Sequence, residues 1–220
     1  DVVLPWPGRN ARAAAGKDPA TRTSRGRWCV RPLLLIAQRA RPEDILALTF
    51  SEKAASEMEE RVDLLVPYGY LEVPLKTFHA FGDRILREHA LSVGLTGRFR
   101  VLSQAEQLVF LRRHVFDLPL QAFRPLTEPT RFLEALAAAV ARAKDEAVGP
   151  EEFLAYAQTL ERRAVAAHQD EALRAESRRI SEVAAAYAAY QRLLREADAV
   201  DFGDLVLLAI QLLEQHPDVL

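Results

Sequence analysis

The sequence predicts an α/β fold with a large helical block inside it. Three observations lead there. Two short apolar runs of strand length each run straight into a helix. A stretch of about one hundred residues with helical periodicity follows. The chain then closes on a last helix that Asp201 can cap.

The chain has 220 residues, half of them hydrophobic, which is enough for one large domain or two small ones. Ile45-Leu46-Ala47-Leu48-Thr49-Phe50 is an apolar run of the kind that sits in a parallel sheet. Ser51 can cap the next helix, which places Ala54, Ala55, Met58, Val62 and Leu65 on its path before Pro67 stops it. Glu72 to Phe78 is a second candidate strand, weakened by Pro74. A helix is expected from about Ala80 to Leu91, with Gly94 beyond its end.

After Gly97 the pattern is helical almost throughout. Ser103-Gln104-Ala105-Glu106 is a capping box that opens a helix from Gln104 to Phe116. Thr130 is placed to cap Arg131 to Lys144, which carries Phe132, Leu133, Leu136, Val140 and Ala143 near one face. Pro150 begins another helix, turning Phe153, Leu154 and Ala157 inward. Asp170 to Ala197 is a long Ala-rich helix with Ile180, Val183, Ala184, Tyr187, Gln191 and Leu194 at helical spacing. Asp201 is placed to cap a last helix, Phe202 to Gln215, ended by Pro217.

Charge and composition exclude little. The net charge of −2 conceals a basic start: Asp1 to Pro42 carries eight Arg and one Lys against Asp1 and Asp18. Nucleic-acid binding needs local positive charge, not a positive total, so the balance neither supports nor excludes it. No apolar run approaches the roughly 18 residues of a membrane span. Cys29 is the single cysteine, which rules out an internal disulfide and fits a reducing, cytoplasmic setting.

Three stretches can carry chemistry. Thr49-Phe50-Ser51-Glu52-Lys53 ends a strand in two hydroxyls flanking an aromatic ring and starts a helix at once. Ligands of open α/β sheets bind at such strand ends, and a helix N-terminus offers free N–H groups to a phosphate. Phe50 is either a core ring or a stacking face for a base, and Lys53 can neutralise a phosphate. Lys76-Thr77-Phe78-His79 repeats the design. His79 has no companion at metal spacing and no nucleophile partner, so neither a zinc site nor a catalytic role follows. Asp201-Phe202-Gly203-Asp204 has two carboxylates three residues apart, which suits helix initiation better than a metal site. No catalytic residue and no metal ligand is assigned.

These motifs, in this order, resemble superfamily-one DNA helicases of the UvrD/Rep/PcrA kind. That family reads roughly I-L-A-x-T-F-T-N-K-A-A-x-E-M, then T-F-H-S-F, then D-F-D-D-L. Ala143-Lys144-Asp145 with Gly149-Pro150, and Tyr190-Gln191, are smaller echoes. The likeness covers about Pro42 to Leu220. It implies a partial RecA-like motor domain with a parallel sheet, interrupted by an all-helical insertion subdomain. Residues 1–32 would be an irregular or degenerate nucleotide-loop region. Residues 33–96 would be the α/β half-domain, 97–198 the insertion, and 199–220 the return to the motor.

The resemblance implies that Thr49, Phe50, Ser51, Lys53, Thr77, Phe78, His79, Asp201 and Phe202 contact DNA. It implies single-stranded and duplex DNA as partners, the rest of a helicase with a second motor domain, and ATP with Mg²⁺ as the parent's cofactors. Ser51 and Glu52 replace the family's Thr and Asn, and Gly203 replaces an acid. The phosphate loop G-x-x-x-x-G-K-[ST] survives only as Gly16-Lys17, with Ala11 and Asp18 at the other marked positions. The Arg- and Pro-rich start reads like GC-rich coding sequence in a shifted frame. The acidic Mg²⁺-binding strand of the family would lie beyond Leu220. The chain is therefore expected not to hydrolyse ATP by itself. Three alternatives stay open: a fragment of a helicase-nuclease of the AddA/RecB type, a degenerate DNA- or protein-binding module, or a plain helical scaffold whose motif matches are chance.

Overall fold

The computed structural model describes residues 46–63, 75–120, 129–167 and 170–219. Gly16, Lys17, Cys29, Pro67 and the whole Arg- and Pro-rich start lie outside them. The chain divides into two compact units, Asp1–Phe81 and Gly82–Leu220.

The described part of the first unit is a strand, a helix and a strand. β1 (Ala47–Thr49) and β2 (Leu75–Thr77) pair in parallel, with α1 (Glu52–Asp63) between them in sequence. Parallel neighbours need such a crossover, because a tight turn can only reverse the chain. The register sets Ala47 against Leu75, Leu48 against Lys76 and Thr49 against Thr77. α1 starts where the sequence predicts: the Ser51 hydroxyl accepts the Ala54 N–H at 3.2 Å. α2 (Phe78–Glu88) begins directly at the end of β2.

The second unit holds the rest of α2, a 3₁₀ turn (Ala90–Val93), β3 (Arg100–Leu102), α3 (Gln104–Arg113), α4 (Pro129–Asp145), α5 (Pro150–Ala166), α6 (Glu171–Glu196), β4 (Ala199–Asp201) and α7 (Asp204–Gln215). β3 and β4 pair in parallel, Arg100 to Ala199 and Leu102 to Asp201. Every regular element between them is a helix among the described residues, so the helical block leaves and rejoins the fold on adjacent strands. The sequence predicted helix almost throughout after Gly97. β3 corrects that, and a three-residue strand is too short to show an alternating pattern.

Helix ends follow the sequence in part: α2 runs Phe78–Glu88 where about Ala80 to Leu91 was expected, and α3 ends at Arg113 and not at Phe116. The Ser103–Glu106 capping box forms in both directions, 2.9 Å from Ser103 N to Glu106 and 3.3 Å from Glu106 N to Ser103 Oγ. Asp170 caps α6 by accepting the Leu173 N–H at 2.8 Å. α4, however, starts at Pro129, so Thr130 lies inside the helix and is not its cap. Pro at the first turn loses nothing, because its missing N–H would have no partner there. Asp201 lies in β4, and the last helix starts at Asp204, not Phe202.

The core of the second unit is where these helices meet. α5 and α6 pack along one another more extensively than any other pair of elements, with Tyr187 fully buried and edge-on to Phe153 at 6.2 Å. α2 lies against α7 so closely that a Cβ on Gly82 would stand 2.2 Å from the carbonyl oxygen of Leu205. Only glycine permits that approach.

Among the described residues, two non-glycine residues have positive φ, Ala147 at 56° and Asp198 at 48°. Ala147 ends α4 in a left-handed turn, with Val148 N bonded to Ala143 O at 2.8 Å. Nothing in the side chain compensates the strain. Asp198 differs, since its carboxylate accepts from Thr96 N at 2.8 Å and from the Thr96 hydroxyl. Those bonds join the residues leading into β3 and β4, and they hold the Asp198 carboxyl below its usual range, the hydroxyl contributing most.

The two positions therefore respond oppositely to glycine. Ala147→Gly is expected to raise stability by about 1 kcal/mol, the order of the left-handed penalty for an L-residue, measured by urea unfolding. Asp198→Gly is expected to lower stability. The pH dependence follows from the lowered Asp198 pKa. Its stabilisation is fully present above the unfolded value of about 3.9 and is lost as pH falls through the lower folded value. The stability gap between wild type and Asp198→Asn should be steady from pH 7 to 5 and should narrow below about pH 4.

Candidate nucleic-acid interface and buried ionic cluster

In the first unit the two strand tips lie side by side, Thr49 against Thr77. Each is followed by an aromatic residue. Phe50 is 89% exposed and Phe78 47% exposed. A ring so exposed forgoes roughly 1.5–3 kcal/mol of burial. Ser51 and Lys53 are also exposed, beside the N-terminus of α1.

The hydroxyls behind the rings are used internally. Thr49 Oγ1 donates to Ser51 O at 3.1 Å, across the residue that carries the ring. Thr77 is 3% exposed. Its hydroxyl donates to Glu52 Oε1 at 2.9 Å and accepts the Ala80 N–H at 3.1 Å, capping α2. The sequence reading placed Thr77 on the surface as a contact. The structure places its hydroxyl beneath, joining the start of α1 to the end of β2. Glu52, the acid that replaces the family's Asn, has one oxygen committed to that bond. His79 is half-buried in the first turn of α2.

The second unit brings together residues that lie far apart in sequence. Lys144 on α4 is fully buried, with its Nζ 2.6 Å from Asp201 Oδ2 and 2.7 Å from Asp204 Oδ1. Its third proton points to Gln191 Oε1 at 3.4 Å. Asp201 Oδ2 also accepts from Tyr190 OH at 3.0 Å and from Gln107 Nε2 at 3.1 Å. Gln191 Nε2 donates to Asp204 Oδ1 at 2.7 Å. The two aspartates close a reciprocal box, each backbone N–H donating to the other's carboxylate at 3.0 Å.

Burial raises the Asp204 pKa, although the Lys144 ammonium opposes it. Burial also drives the Tyr187 and Tyr190 phenols far up, so both remain protonated donors. Tyr187 donates to Val148 O at 3.2 Å.

This cluster revises the third motif. Asp201 was expected at a DNA surface, but it is 4% exposed and fully engaged in the interior. Its neighbour Phe202 is 57% exposed. Two carboxylates three residues apart could suggest a cation site, and here the cation between them is the Lys144 ammonium. Among the described residues no group of three or more His, Cys, Asp or Glu is placed to hold a metal ion.

Sequence reasoning missed Gln107 altogether and saw Lys144 only as an echo of a family stretch. A signal existed for both. Gln107 precedes buried Leu111 by four residues, and Lys144 follows buried Val140 by four, so each is polar on an apolar stripe.

Lys144→Met is expected to cost about 3–5 kcal/mol at pH 7, because it leaves two buried carboxylates with no cation. The loss should shrink as pH falls and the Asp204 carboxyl, already raised by burial, takes up a proton, which urea unfolding at pH 7 and pH 4 would register.

Comparison with known proteins agrees with the motif order. The family model described as UvrD/REP helicase N-terminal domain matches residues 30–220. The chain is 30% identical over 188 residues to the ATP-dependent DNA helicase PcrA of Bacillus subtilis (strain 168), covering 85% of this chain and 22% of that protein. It is 32% identical over 180 residues to PcrA of Leuconostoc citreum, covering 81% and 21%. It is 31% identical over 187 residues to PcrA of Staphylococcus aureus (strain Mu50 / ATCC 700699), covering 85% and 22%. The chain thus spans about a fifth of the length of these curated relatives.

Proposed function

This chain belongs to the UvrD/REP helicase N-terminal domain family, and on that footing we propose that it supplies the single-strand-binding face of an ATP-driven DNA helicase. The observation that carries this reading is the exposed ring of Phe50, set at a parallel strand tip beside a helix N-terminus.

Phe50 and Phe78 offer faces on which bases stack. Ser51 and Lys53 meet backbone phosphate, and His79 lies along the same first-unit surface. In the second unit Phe202 is the contacting residue. Thr49, Thr77 and Asp201 act from behind as anchors, which refines the role the family resemblance implied for them. Stacking tolerates any base, because every base has a π-face. That suits a protein that moves along DNA without reading sequence.

The first unit, with β3, β4 and α7 of the second, is read as part of a RecA-like motor. The helices from Ser103 to Asp198 form the insertion. The adjacency of β3 and β4 supports this reading, since a block whose ends meet on neighbouring strands can be inserted without breaking a sheet. The parent protein uses ATP and Mg²⁺. The described residues do not fit those groups: the paired carboxylates Asp201 and Asp204 are already neutralised by Lys144. Gly16-Lys17, flanked by Ala11 and Asp18, keeps one glycine and the lysine of a phosphate loop. Asp18 would repel a triphosphate. This chain alone is therefore proposed to bind DNA without turning over ATP.

Anisotropy of fluorescein-labelled dT20 tests the DNA reading. The affinity should fall steeply with salt, with a log–log slope of about −0.7 for each phosphate neutralised. Phe50→Ala should weaken binding about tenfold, within the range for loss of one stacked base. Lys53→Gln should reduce the salt slope by about one phosphate's share. Binding that ignores both salt and Phe50 would refute the assignment.

A further inference from the structure

We propose that the buried cluster of Lys144, Gln107, Tyr190 and Gln191 around Asp201 and Asp204 is a positioning device that holds Phe202 out for nucleic-acid stacking. The inference rests on the DNA-binding reading above and adds residues to it that touch no DNA themselves.

Phe202 stands between two aspartates that both point inward. Its own ring is 57% exposed, while Asp201 and Asp204 are 4% and 1% exposed. The reciprocal backbone bonds between those aspartates close the turn on either side of the ring. Lys144 then fixes both carboxylates from α4, Gln107 fixes Asp201 from α3, and α6 supplies Tyr190 and Gln191. Three helices of the block thus converge on one four-residue turn.

Gly203 brings the turn still closer to the cluster. A Cβ there would lie 3.0 Å from Lys144 Cδ and 3.1 Å from Lys144 Cβ. The backbone next to Phe202 therefore rests on the lysine stem, and a shift of Lys144 is felt at the ring. Stability alone does not call for this chemistry, because apolar residues of similar volume often serve a buried site as well as an ion pair or better. Directional bonds to both ends of a turn, in contrast, set its orientation.

The test is a double-mutant cycle on dT20 affinity in the full chain, with circular dichroism and urea unfolding on every variant. Phe202→Ala should weaken binding about tenfold. Asp201→Asn changes no exposed side chain and keeps an oxygen for the Asp204 N–H, yet it should weaken binding several-fold. In the Phe202→Ala background it should have no further effect, because the residue it positions is gone. Tyr190→Phe, which removes one hydroxyl, should give a smaller loss of the same non-additive kind.

Losses that add fully overturn the inference, as does wild-type affinity in folded Asp201→Asn and Tyr190→Phe. If Phe50→Ala weakens binding and Phe202→Ala does not, the DNA reading stands and this inference falls. If the unaltered chain fails to bind dT20 at low salt, both fall together.

Discussion

An ammonium group held between two buried carboxylates organises the second unit. Lys144 has three protons and three acceptors, and Asp201 and Asp204 spend all four carboxylate oxygens on partners within the cluster. A buried charge without such partners would cost several kcal/mol. That penalty constrains α3, α4, α6 and β4 to one mutual arrangement, since moving any of them strands a polar group away from water. The cluster still has two acids for one base. Burial raises the Asp204 carboxyl above its usual range against the pull of Lys144, with the Asp201 charge adding to the rise, and burial together with these carboxylates keeps the neighbouring phenols neutral.

The same principle operates on a smaller scale in the first unit. Thr77 fills both hydrogen-bonding roles of its hydroxyl, as donor to Glu52 and as acceptor from Ala80. This one group ties the end of a strand to the starts of two helices. The polar atoms nearest the strand tips are thus satisfied by the protein, while the rings beside them are left to the solvent. A surface with its own polar groups satisfied and its aromatic faces open favours stacking over base-edge hydrogen bonding, which is the kind of recognition a sequence-indifferent binder needs.

Much of the fold was legible because local signals act over a few residues. The Ser51 cap, the Ser103–Glu106 box and the Pro150 start all appear where short-range chemistry places them. Pro129 overrode Thr130 as the start of α4 because proline is favoured at the first helical turn for its own reason. Arg100–Leu102 was not legible as a strand, since its strand neighbour among the described residues is Ala199–Asp201, about a hundred residues away. The rings beside the two strand tips are exposed as the motif suggests, but Thr77 and Asp201 were expected outward and face inward, and Phe202 lies in the turn before the last helix and not within it.

From the sequence alone came the motif order, several of the helix starts and the family likeness, all of which depend on residues close together along the chain. Tertiary structure alone decided which polar side chains turn inside. Asp201 has the same local surroundings whether it faces a nucleic acid or a lysine. Its direction is set by an ammonium 57 positions back along the chain, and only folding brings that charge within bonding distance.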